Sequence, residues 1–477
     1  MSLRPRLLVA VLLLVGASCR RDVARLDDVQ KMAYGVKPGV VRISAYATAE
    51  FHYDPAAIGT VESELLAAGF DAGARNVPGE PAVVTTGAGG SGSGFIIHPD
   101  GFILTSGHVV APTRDDEALR HDLERNGAIA ALVKHFPIDQ LRAIHRSEEG
   151  LKRYLQTMLA SSRVENIVVV NEIELSNGEK LPFRIVRYSP ALSAGGTDLA
   201  LLHIERKNLP VLLVGDSDTT RVGDAIWSIG YPAVASSSDE IIGGWLSRDS
   251  DLEATFNPGM ITAIKRNVTN TPVFQSNVAI YRGNSGGPAV DRDGQVIGIS
   301  TWGHTDAESI KFLVPIDVAK SVLAEARVPL NVDGEFSRHY RAALDAAAEG
   351  NWTVARTELD PASKLFPNSP DLIRFRRDID RALHALPAWR LHPIRTGALA
   401  ALILTLLAIA IAMLLPRRNR FPKELLTATT SELLVEPVGR HDSEPAVVPR
   451  GALVLGRFTI LNGARAGQKL GLGGSGI

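Results

Sequence analysis

Three residues of types that together support nucleophilic catalysis are spread through the chain: His108, Asp198 and Ser285. A serine hydroxyl is a poor nucleophile at neutral pH, so it needs a histidine to take its proton and a buried carboxylate to orient that histidine. Each residue alone is common in turns and at strand ends, but the three together, each beside a strand-like segment, are more specific. The combination predicts an enzyme that hydrolyses peptide bonds.

Ser285 lies in the segment GNSGGP, residues 283–288. Its glycines permit a tight turn that points backbone N–H groups at one place. The N–H groups of Gly283 and Ser285 are therefore predicted to form an oxyanion hole for the carbonyl oxygen as it becomes an anion. Losing one such donor lowers the rate roughly a hundred- to a thousand-fold.

Short apolar segments flank the other two residues. Residues 94–97 and 101–105 surround a turn, which predicts a β-hairpin that delivers His108 to a strand end. Residues 199–204, directly after Asp198, predict a buried strand. The carboxylate would then enter the interior, where a histidine partner offsets the cost of burying its charge.

These segments resemble the protease domain of the HtrA/Deg serine proteases, over residues from about 90 to 328. The matching segments are GSGFII (92–97), LTSGHVV (104–110), LVGDSD (213–218), RVGD (221–224), GNSGGP (283–288), GQVIGI (294–299) and FLVPID (312–317). The resemblance implies a mainly β, chymotrypsin-like fold of two six-stranded β-barrels with the active site between them. It also implies that His108 is the general base, that Asp198 orients it and that Ser285 is the nucleophile.

The same resemblance suggests where a substrate would lie. The strand that ends at Gly303 is similar to the chymotrypsin-type strand that pairs with the substrate backbone, so Thr301, Trp302 and Gly303 are predicted to bind substrate. Ala279 and Ile280 would form the floor of the specificity pocket. No acidic residue stands there to meet Lys or Arg, which predicts cleavage after small or medium apolar residues.

The chain departs from the HtrA pattern in several places, and no pattern of a PDZ domain is found. A helical insertion of about residues 112–165 is predicted after His108, with helices at 115–125 and 138–159. Further insertions are predicted at about 47–90 and 233–257. Such loops either control access to the site or elaborate the surface. They leave the oligomeric state open, with a homo-oligomer as one alternative.

Composition limits the remaining functions. With 477 residues the chain can hold two or three domains, and a net charge of −1 does not favour nucleic acid as a partner. The single cysteine excludes an internal disulfide. No cluster of His, Cys and carboxylate residues has metal-ligand spacing, so neither a metal nor a cofactor is predicted.

The first nineteen residues have the pattern of an export signal. Arg4 and Arg6 precede an apolar segment at residues 7–15, and Cys19 follows. Residues 1–19 are predicted to be a signal peptide or a lipoprotein signal, and lipidation of Cys19 stays open.

A second apolar segment, residues 397–415, carries no charge. As a helix it would reach roughly 28 Å, about the thickness of the hydrocarbon layer. The segment predicts a transmembrane helix, and the basic residues at 417–423 place the C-terminal tail in the cytoplasm. The protease domain would then face the periplasm or the exterior of the plasma (inner) membrane.

The predicted domain order follows from these segments. A trypsin-like protease domain is expected over residues 30–330, and a helical segment at 335–386 resembles a tetratricopeptide pair or is a helical stalk packed on the protease. Residues 416–450 are expected to be a linker. Residues 451–477 resemble the opening strands of a forkhead-associated domain without its phosphate-binding positions, an incomplete segment.

The sequence therefore favours a membrane-tethered serine endopeptidase that acts on envelope or extracytoplasmic proteins and binds protein or peptide substrates. The alternative is a transmembrane signalling or scaffold protein whose protease-like domain binds peptides without cleaving them. In that alternative, the helical insertion after His108 holds the cleft shut.

Overall fold

The computed structural model describes residues 25–67, 69, 82–136, 155–233, 246–303, 310–385, 393–414, 457–459 and 469–471. The chain divides into two compact units, residues 1–401 and 402–477. The predicted signal segment 1–19, with Cys19, and the predicted linker 416–450 lie outside the described residues.

A seven-stranded antiparallel sheet forms the first β body of the larger unit. Its strands are β1 (Val40–His52), β2 (Val83–Ile96), β3 (Phe102–Thr105), β4 (Arg163–Glu174), β5 (Lys180–Pro182), β6 (Arg184–Ser189) and β7 (Leu199–His203). They pair in the order β5-β4-β1-β2-β3-β7-β6. The strands β5 and β6 lie at opposite edges of this sheet, yet only Phe183 separates them in the chain. The sheet therefore curls back on itself, although no hydrogen-bonded ladder joins the two edges among the described residues. The six-stranded closed barrel implied for this body is thus a curled sheet of seven strands.

A closed six-stranded barrel forms the second β body. Its strands are β8 (Ala225–Gly230), β9 (Thr255–Arg266), β10 (Pro272–Ser276), β11 (Pro288–Val290), β12 (Val296–Gly303) and β13 (Lys311–Pro315). They pair in the order β10-β13-β12-β11-β8-β9. The mainly β, two-body fold expected from the sequence is confirmed, with one body closed as implied.

Apolar side chains from both bodies share one buried cluster. Phe95, Leu104 and Leu199 come from the first body, while Ile229 and Val290 come from the second. Burial of apolar area is the main favourable term in packing two such bodies together. This shared core fixes the strand ends that carry the three candidate residues.

The described residues of the predicted insertion at 47–90 form the end of β1, a helix and the start of β2. The helix α1 (Asp28–Val36) comes before β1, and Asp27 and Gln30 form a capping box at its start. Beyond it, β1 and β2 run side by side for their full length, with Val40 opposite Phe95 and His52 opposite Val83. The helix α2 (Pro55–Ala67) follows β1.

A short helix, α3 (Gly107–Val110), carries His108, and the predicted insertion that follows it contains α4 (Asp116–His135). Asp115 caps α4 by accepting a hydrogen bond from the N–H of Ala118. The helix runs ten residues beyond the predicted end at 125. Of the second predicted helix, 138–159, the described part is helical at 155–159.

The helix α4 packs on the extension of β1 and β2. Leu123 and Leu132 of α4 are buried in one cluster with Phe51 of β1. A Cβ atom on Gly127 would lie 2.4 Å from Phe51 Cγ, so only glycine permits this approach. The described part of the insertion is thus held against the long hairpin.

Helices follow the second β body, and all but the first lie in the predicted helical range 335–386. They are α5 (Ile316–Glu325), α6 (Glu335–Ala348), α7 (Trp352–Leu365) and α8 (Pro370–Ala385). Phe336 and Phe375 share a buried cluster with Ile43 of β1. The hydroxyl of Tyr340 donates to the carbonyl of Tyr34 at 3.0 Å. The segment therefore packs on the first β body, while its resemblance to a tetratricopeptide pair is not shown.

A buried ion-pair network joins α8 to the β bodies. Lys37 lies 3.1 Å from Asp371 and 3.1 Å from Glu253, and Arg374 lies 2.6 Å from Glu253. The side chains of Lys37 and Asp371 are 8% and 2% exposed. Charges so buried must be paired, so this network ties the helices to the segment before β9.

The apolar segment near the C-terminus lies in a helix, α9 (Pro393–Leu414). Over the described residues, no helix has both the length and the apolar character that crossing a membrane requires. The transmembrane helix predicted at 397–415 is therefore not confirmed.

The described residues of the predicted forkhead-associated-like segment form one two-stranded ladder. It pairs β14 (Arg457–Thr459) with β15 (Lys469–Gly471). Two short strands do not make a forkhead-associated fold, so that resemblance is not supported.

Candidate active site

His108 sits in α3, directly after β3, and faces Asp198. Its backbone N–H donates to Asp198 Oδ1 at 2.9 Å. Its ring Nδ1 lies 3.0 and 2.9 Å from the two carboxylate oxygens. The side chain is 38% exposed, so the other edge of the ring is accessible from the cleft.

Asp198 precedes β7 and is 2% exposed. Its φ of 54° is a left-handed conformation that a non-glycine residue rarely adopts, and such strain is typical of functional sites. Burial raises the pKa of this carboxyl, but hydrogen bonds and charge from His108, with a further hydrogen bond from the Thr301 hydroxyl, outweigh it and hold the pKa below its usual value. Asp198 is therefore ionised at neutral pH and accepts hydrogen bonds only.

The turn that carries Ser285 is held by backbone contacts on both sides. Gly283 has a φ of 96°, and its carbonyl accepts from Ser93 Oγ at 2.7 Å. The carbonyl of Arg282 accepts from the N–H of Ala233 at 2.8 Å. These contacts fix the peptide groups before and after Gly283 and leave its N–H pointing away from them.

The N–H groups of Gly283 and Ser285 have no hydrogen-bond partner among the described residues. Two unpaired donors in one turn are what an oxyanion hole needs. The oxyanion role of Gly283 and Ser285 stays a prediction with which these two unpaired N–H groups are compatible.

The Ser285 hydroxyl donates to the carbonyl oxygen of Thr301 at 3.1 Å. Within the part of the chain that the structure describes, no hydrogen bond joins it to His108. Thr301 in turn donates its own hydroxyl to Asp198. One residue thus links the serine to the aspartate.

The predicted substrate-binding residues fall into two groups. Ala279 and Ile280 lie just before the nucleophile turn, with Ile280 buried and the Ala279 carbonyl accepting from the Asn257 side chain at 3.3 Å. Trp302 and Gly303 are in β12, where Trp302 pairs with Phe312 and Gly303 pairs with Lys311 of β13.

The side chain of Thr301 is turned inward, while the predicted pairing of its backbone with substrate stays a prediction. Thr301 is 3% exposed and its hydroxyl is engaged with Asp198. Thr301 lies where the pairing of β12 with β13 shifts register between Ser300 and Trp302, and such bulges re-aim side chains. The sequence pattern does not predict the contact of Thr301 with Asp198, nor the contacts of Ser93, which lies in the motif GSGFII.

One group of carboxylates could hold a cation among the described residues, formed by Asp216, Asp218 and Asp317. Asp317 already accepts from the backbone N–H of Ser217 at 2.6 Å and pairs with Lys320. The group is partly or fully exposed and its charge is met by protein donors. It contributes nothing to the chemistry around Ser285.

Comparisons with known proteins show what the chain is similar to. Residues 92–299 match the family described as "Trypsin-like peptidase domain". A "Probable periplasmic serine endoprotease DegP-like" of Pseudomonas putida (strain GB-1) is 28% identical over 253 residues, covering 52% of this chain and 36% of that protein. A protein of the same description from Halomonas elongata is 27% identical over 327 residues, covering 66% and 52%.

A third relative of that description, from Chlamydia muridarum, is 34% identical over 175 residues, covering 35% of this chain and 30% of its own length. The chain thus spans about a third to a half of the length of these relatives. Among solved structures, "HtrA-type protease AlgW with decapeptide" is 21% identical, with 63% of this chain and 67% of that chain covered and a TM-score of 0.36.

Proposed function

We propose that this chain, which carries a trypsin-like peptidase domain at residues 92–299, is a serine endopeptidase with the triad His108, Asp198 and Ser285. One observation carries the proposal: Asp198 holds both the backbone and the ring of His108 next to a turn with two unpaired N–H groups. That arrangement suits acyl transfer, in which a base and an oxyanion site must act at one carbon atom.

Acylation begins when Ser285 Oγ attacks the carbonyl carbon of the scissile peptide bond. His108 Nε2 takes the hydroxyl proton as the new C–O bond forms. The carbonyl oxygen becomes an anion and accepts hydrogen bonds from the N–H groups of Gly283 and Ser285. His108 then gives the proton to the leaving amine, the C–N bond breaks and an acyl-enzyme remains.

Deacylation repeats these steps with water. His108 takes a proton from the water as it attacks the ester carbon, and the same two N–H groups hold the second oxyanion. When the intermediate collapses, His108 returns the proton to Ser285 Oγ and the carboxylic acid product leaves. Asp198 stays ionised throughout and stabilises the imidazolium in each half-reaction.

Before it reacts, the Ser285 hydroxyl gives up its hydrogen bond to the Thr301 carbonyl and donates to His108 instead. Catalytic hydrogen bonds of this kind often form only with bound substrate, and the exposed face of the imidazole leaves room for the movement.

We further propose cleavage after small or medium apolar residues. Ala279, Ile280, Trp302 and Gly303 supply the pocket and its binding strand, and none of them carries a negative charge. A Lys or Arg side chain would lose its hydration there without gaining a partner. Sequencing of the new N- and C-termini released from an unfolded protein tests this preference.

The proposed site of action is outside the cytoplasm. Support comes from the export-signal pattern at 1–19 and from the relatives described as periplasmic. Tethering to a membrane through residues 397–415, with an unfolded or misassembled envelope protein as substrate, is part of the same proposal. Extraction of membranes with alkaline carbonate tests the tether, since a peripheral protein is released and a spanning one is retained.

The alternative function, peptide binding without cleavage, draws on one observation, the orientation of the Ser285 hydroxyl toward Thr301. The insertion that would hold the cleft shut packs elsewhere in its described part, since α4 contacts Phe51 and His108 stays 38% exposed. These contacts favour the enzyme.

The decisive assay compares hydrolysis of unfolded casein by the wild-type chain and by Ser285→Ala. In a related triad, loss of the nucleophile removes about six orders of magnitude of turnover, so the variant should be inactive while its thermal unfolding is unchanged. Ser247→Ala, which changes an exposed hydroxyl, is the matched control and should keep full activity. Equal activity of wild type and Ser285→Ala would exclude the proposal.

A further inference from the structure

Ser93 lies near the end of β2, is fully buried, and contacts the nucleophile turn at two points. Its N–H donates to the carbonyl of Ser285 at 2.8 Å, and its hydroxyl donates to the carbonyl of Gly283 at 2.7 Å. The same hydroxyl accepts from the N–H of Tyr231 at 2.9 Å. The carbonyl of Ser93 accepts from Thr105 Oγ1 at 2.7 Å. One residue thus joins β2, the nucleophile turn and the segment after β8.

The nucleophile turn needs such restraint because it depends on glycine. With no Cβ, Gly283 can rotate its two peptide groups at little cost, and a rotation of the preceding group would take its N–H out of the oxyanion hole. A Cβ on Gly283 would lie 2.3 Å from the carbonyl oxygen of Tyr231, so a bulkier, stiffer residue cannot replace it. The restraint must therefore come from hydrogen bonds.

The Ser93 hydroxyl provides that restraint on both sides of the donor. Its bond to Gly283 fixes the peptide group after this residue. Its bond to Tyr231 fixes the segment that continues to Ala233, whose N–H holds the carbonyl of Arg282 at 2.8 Å and so fixes the peptide group before Gly283. Because hydrogen bonds hold the carbonyls of both Arg282 and Gly283, the peptide groups on either side of Gly283 are fixed, and so is the direction of its N–H.

We propose that Ser93 is a positioning residue, whose hydroxyl keeps the N–H of Gly283 aimed at the oxyanion. The inference rests on the proposed peptidase function and adds a specific residue to it. Ser93 touches neither substrate nor the reacting atoms in this arrangement and acts through Gly283 and Tyr231. Negative charge develops on the carbonyl oxygen in the transition state. Loss of the Ser93 hydroxyl should therefore destabilise the transition state more than it weakens substrate binding.

The test replaces Ser93 by Ala and compares it with Ser176→Ala. Ser176 is 1% exposed and its hydroxyl donates to the carbonyl of Pro38 at 2.9 Å, so it matches Ser93 in burial and in bond type. It makes no contact with the nucleophile turn. Both variants lose the buried hydrogen bond that the hydroxyl donates, and Ser93→Ala also loses the one accepted from Tyr231; only Ser93→Ala affects the turn.

The measurements are kcat and KM for a peptide substrate with Ala at the cleaved position, and the inhibition constant of the acetyl-Ala-Ala-Ala aldehyde. The aldehyde adds to Ser285 and places its oxygen in the oxyanion hole. We expect Ser93→Ala to lower kcat by about 10- to 100-fold, which is a smaller loss than removal of an oxyanion-hole donor causes. KM should change by less than about threefold. The aldehyde should bind more weakly by the same factor as kcat falls.

The control defines the contradicting result. Ser176→Ala should keep kcat within about twofold. If Ser93→Ala also keeps kcat, or if it raises KM at unchanged kcat, the hydroxyl has a purely structural role and the inference is wrong.

A second variant keeps the test decisive if Ser93→Ala does not fold. Ser93→Cys keeps a side chain of similar size with a weak donor, and it should fold and lie between wild type and Ser93→Ala in kcat and in aldehyde affinity. Wild-type kcat in a folded Ser93→Cys would overturn the inference. The wild-type chain separates the two proposals, because its failure to cleave the peptide would contradict the peptidase function itself.

Discussion

Asp198 accepts hydrogen bonds from both the backbone N–H and the ring of His108, at 2.9 Å in each case. A carboxylate that holds main chain and ring together allows the imidazole one orientation and one tautomer, with Nε2 free to take a proton. Both residues belong to the first β body, where Thr105 of β3 pairs with Ala200 of β7. His108 and the carboxylate that orients it are therefore both held by the first β body.

The same pair predicts a pH dependence of stability. The folded-state pKa of Asp198 lies below the unfolded value of about 3.9, so its contribution is present above pH 4 and is lost as the pH falls through the folded pKa. We expect the free energy of unfolding to differ between wild type and Asp198→Asn more at pH 5 than at pH 3. Denaturant unfolding at both pH values measures this, and an equal difference at the two would contradict it.

The effect on catalysis of the hydrogen bond from Thr301 to Asp198 can be tested. The Thr301 hydroxyl donates to Asp198, and hydrogen bonds to charged groups contribute about 1.5–3 kcal/mol. Thr301→Val keeps the volume but removes the donor, so kcat/KM should fall by about tenfold or more. Thr301→Ser, which keeps the hydroxyl, should stay within about threefold of wild type. Equal kcat/KM in the Val and Ser variants would show that this bond is unimportant.

The buried pair Lys37 and Asp371 predicts a large effect on stability. Lys37→Met leaves Asp371 buried without its main partner, which should lower the free energy of unfolding by about 3 kcal/mol or more. Lys31→Met is the matched control, because Lys31 and Asp345 form an exposed pair, 39% and 61% exposed, and should cost under about 1 kcal/mol. Urea unfolding measures both, and similar losses would contradict the role of burial.

Gly127 tests whether the insertion after His108 governs access to the site. A Cβ there meets Phe51, so Gly127→Ala should destabilise the chain by about 1–3 kcal/mol. Gly59→Ala in α2, with nothing within 4 Å of its Cβ, should be neutral or stabilising. Since α4 packs away from His108, kcat of the folded Gly127→Ala chain should stay within twofold. A several-fold rise in kcat would mean that the helix restrains the site.

The short motifs made the candidate site predictable from the sequence. His108 and Ser285 lie in short segments whose glycines and neighbouring apolar residues predict a turn beside a strand. Their placement can therefore be predicted without knowledge of contacts between distant parts of the chain. The roles of Ser93 and Thr301 were not predictable in this way. Their partners Gly283 and Asp198 lie 190 and 103 residues away, and only the register of the assembled strands brings them together.

The glycine-rich residues 87–92 explain why the sequence did not predict that β2 begins as early as Val83. Glycine is a weak strand former, so this part reads as a loop. In the structure a Cβ on Gly89 would lie 2.3 Å from the carbonyl oxygen of Ala45, and the close approach of β1 requires glycine at that point. Tertiary contact, which the local pattern does not contain, decides the strand.

The central claim is that His108, oriented by Asp198, activates Ser285. Labelling with a fluorophosphonate probe, followed by mass spectrometry of the modified peptide, tests it most directly, because the probe reacts with an activated serine hydroxyl. We predict rapid modification of Ser285 in the wild-type chain and a loss of at least about a thousandfold in labelling rate for both His108→Ala and Asp198→Asn. No modification of wild-type Ser285, or equal rates in all three chains, would contradict the account.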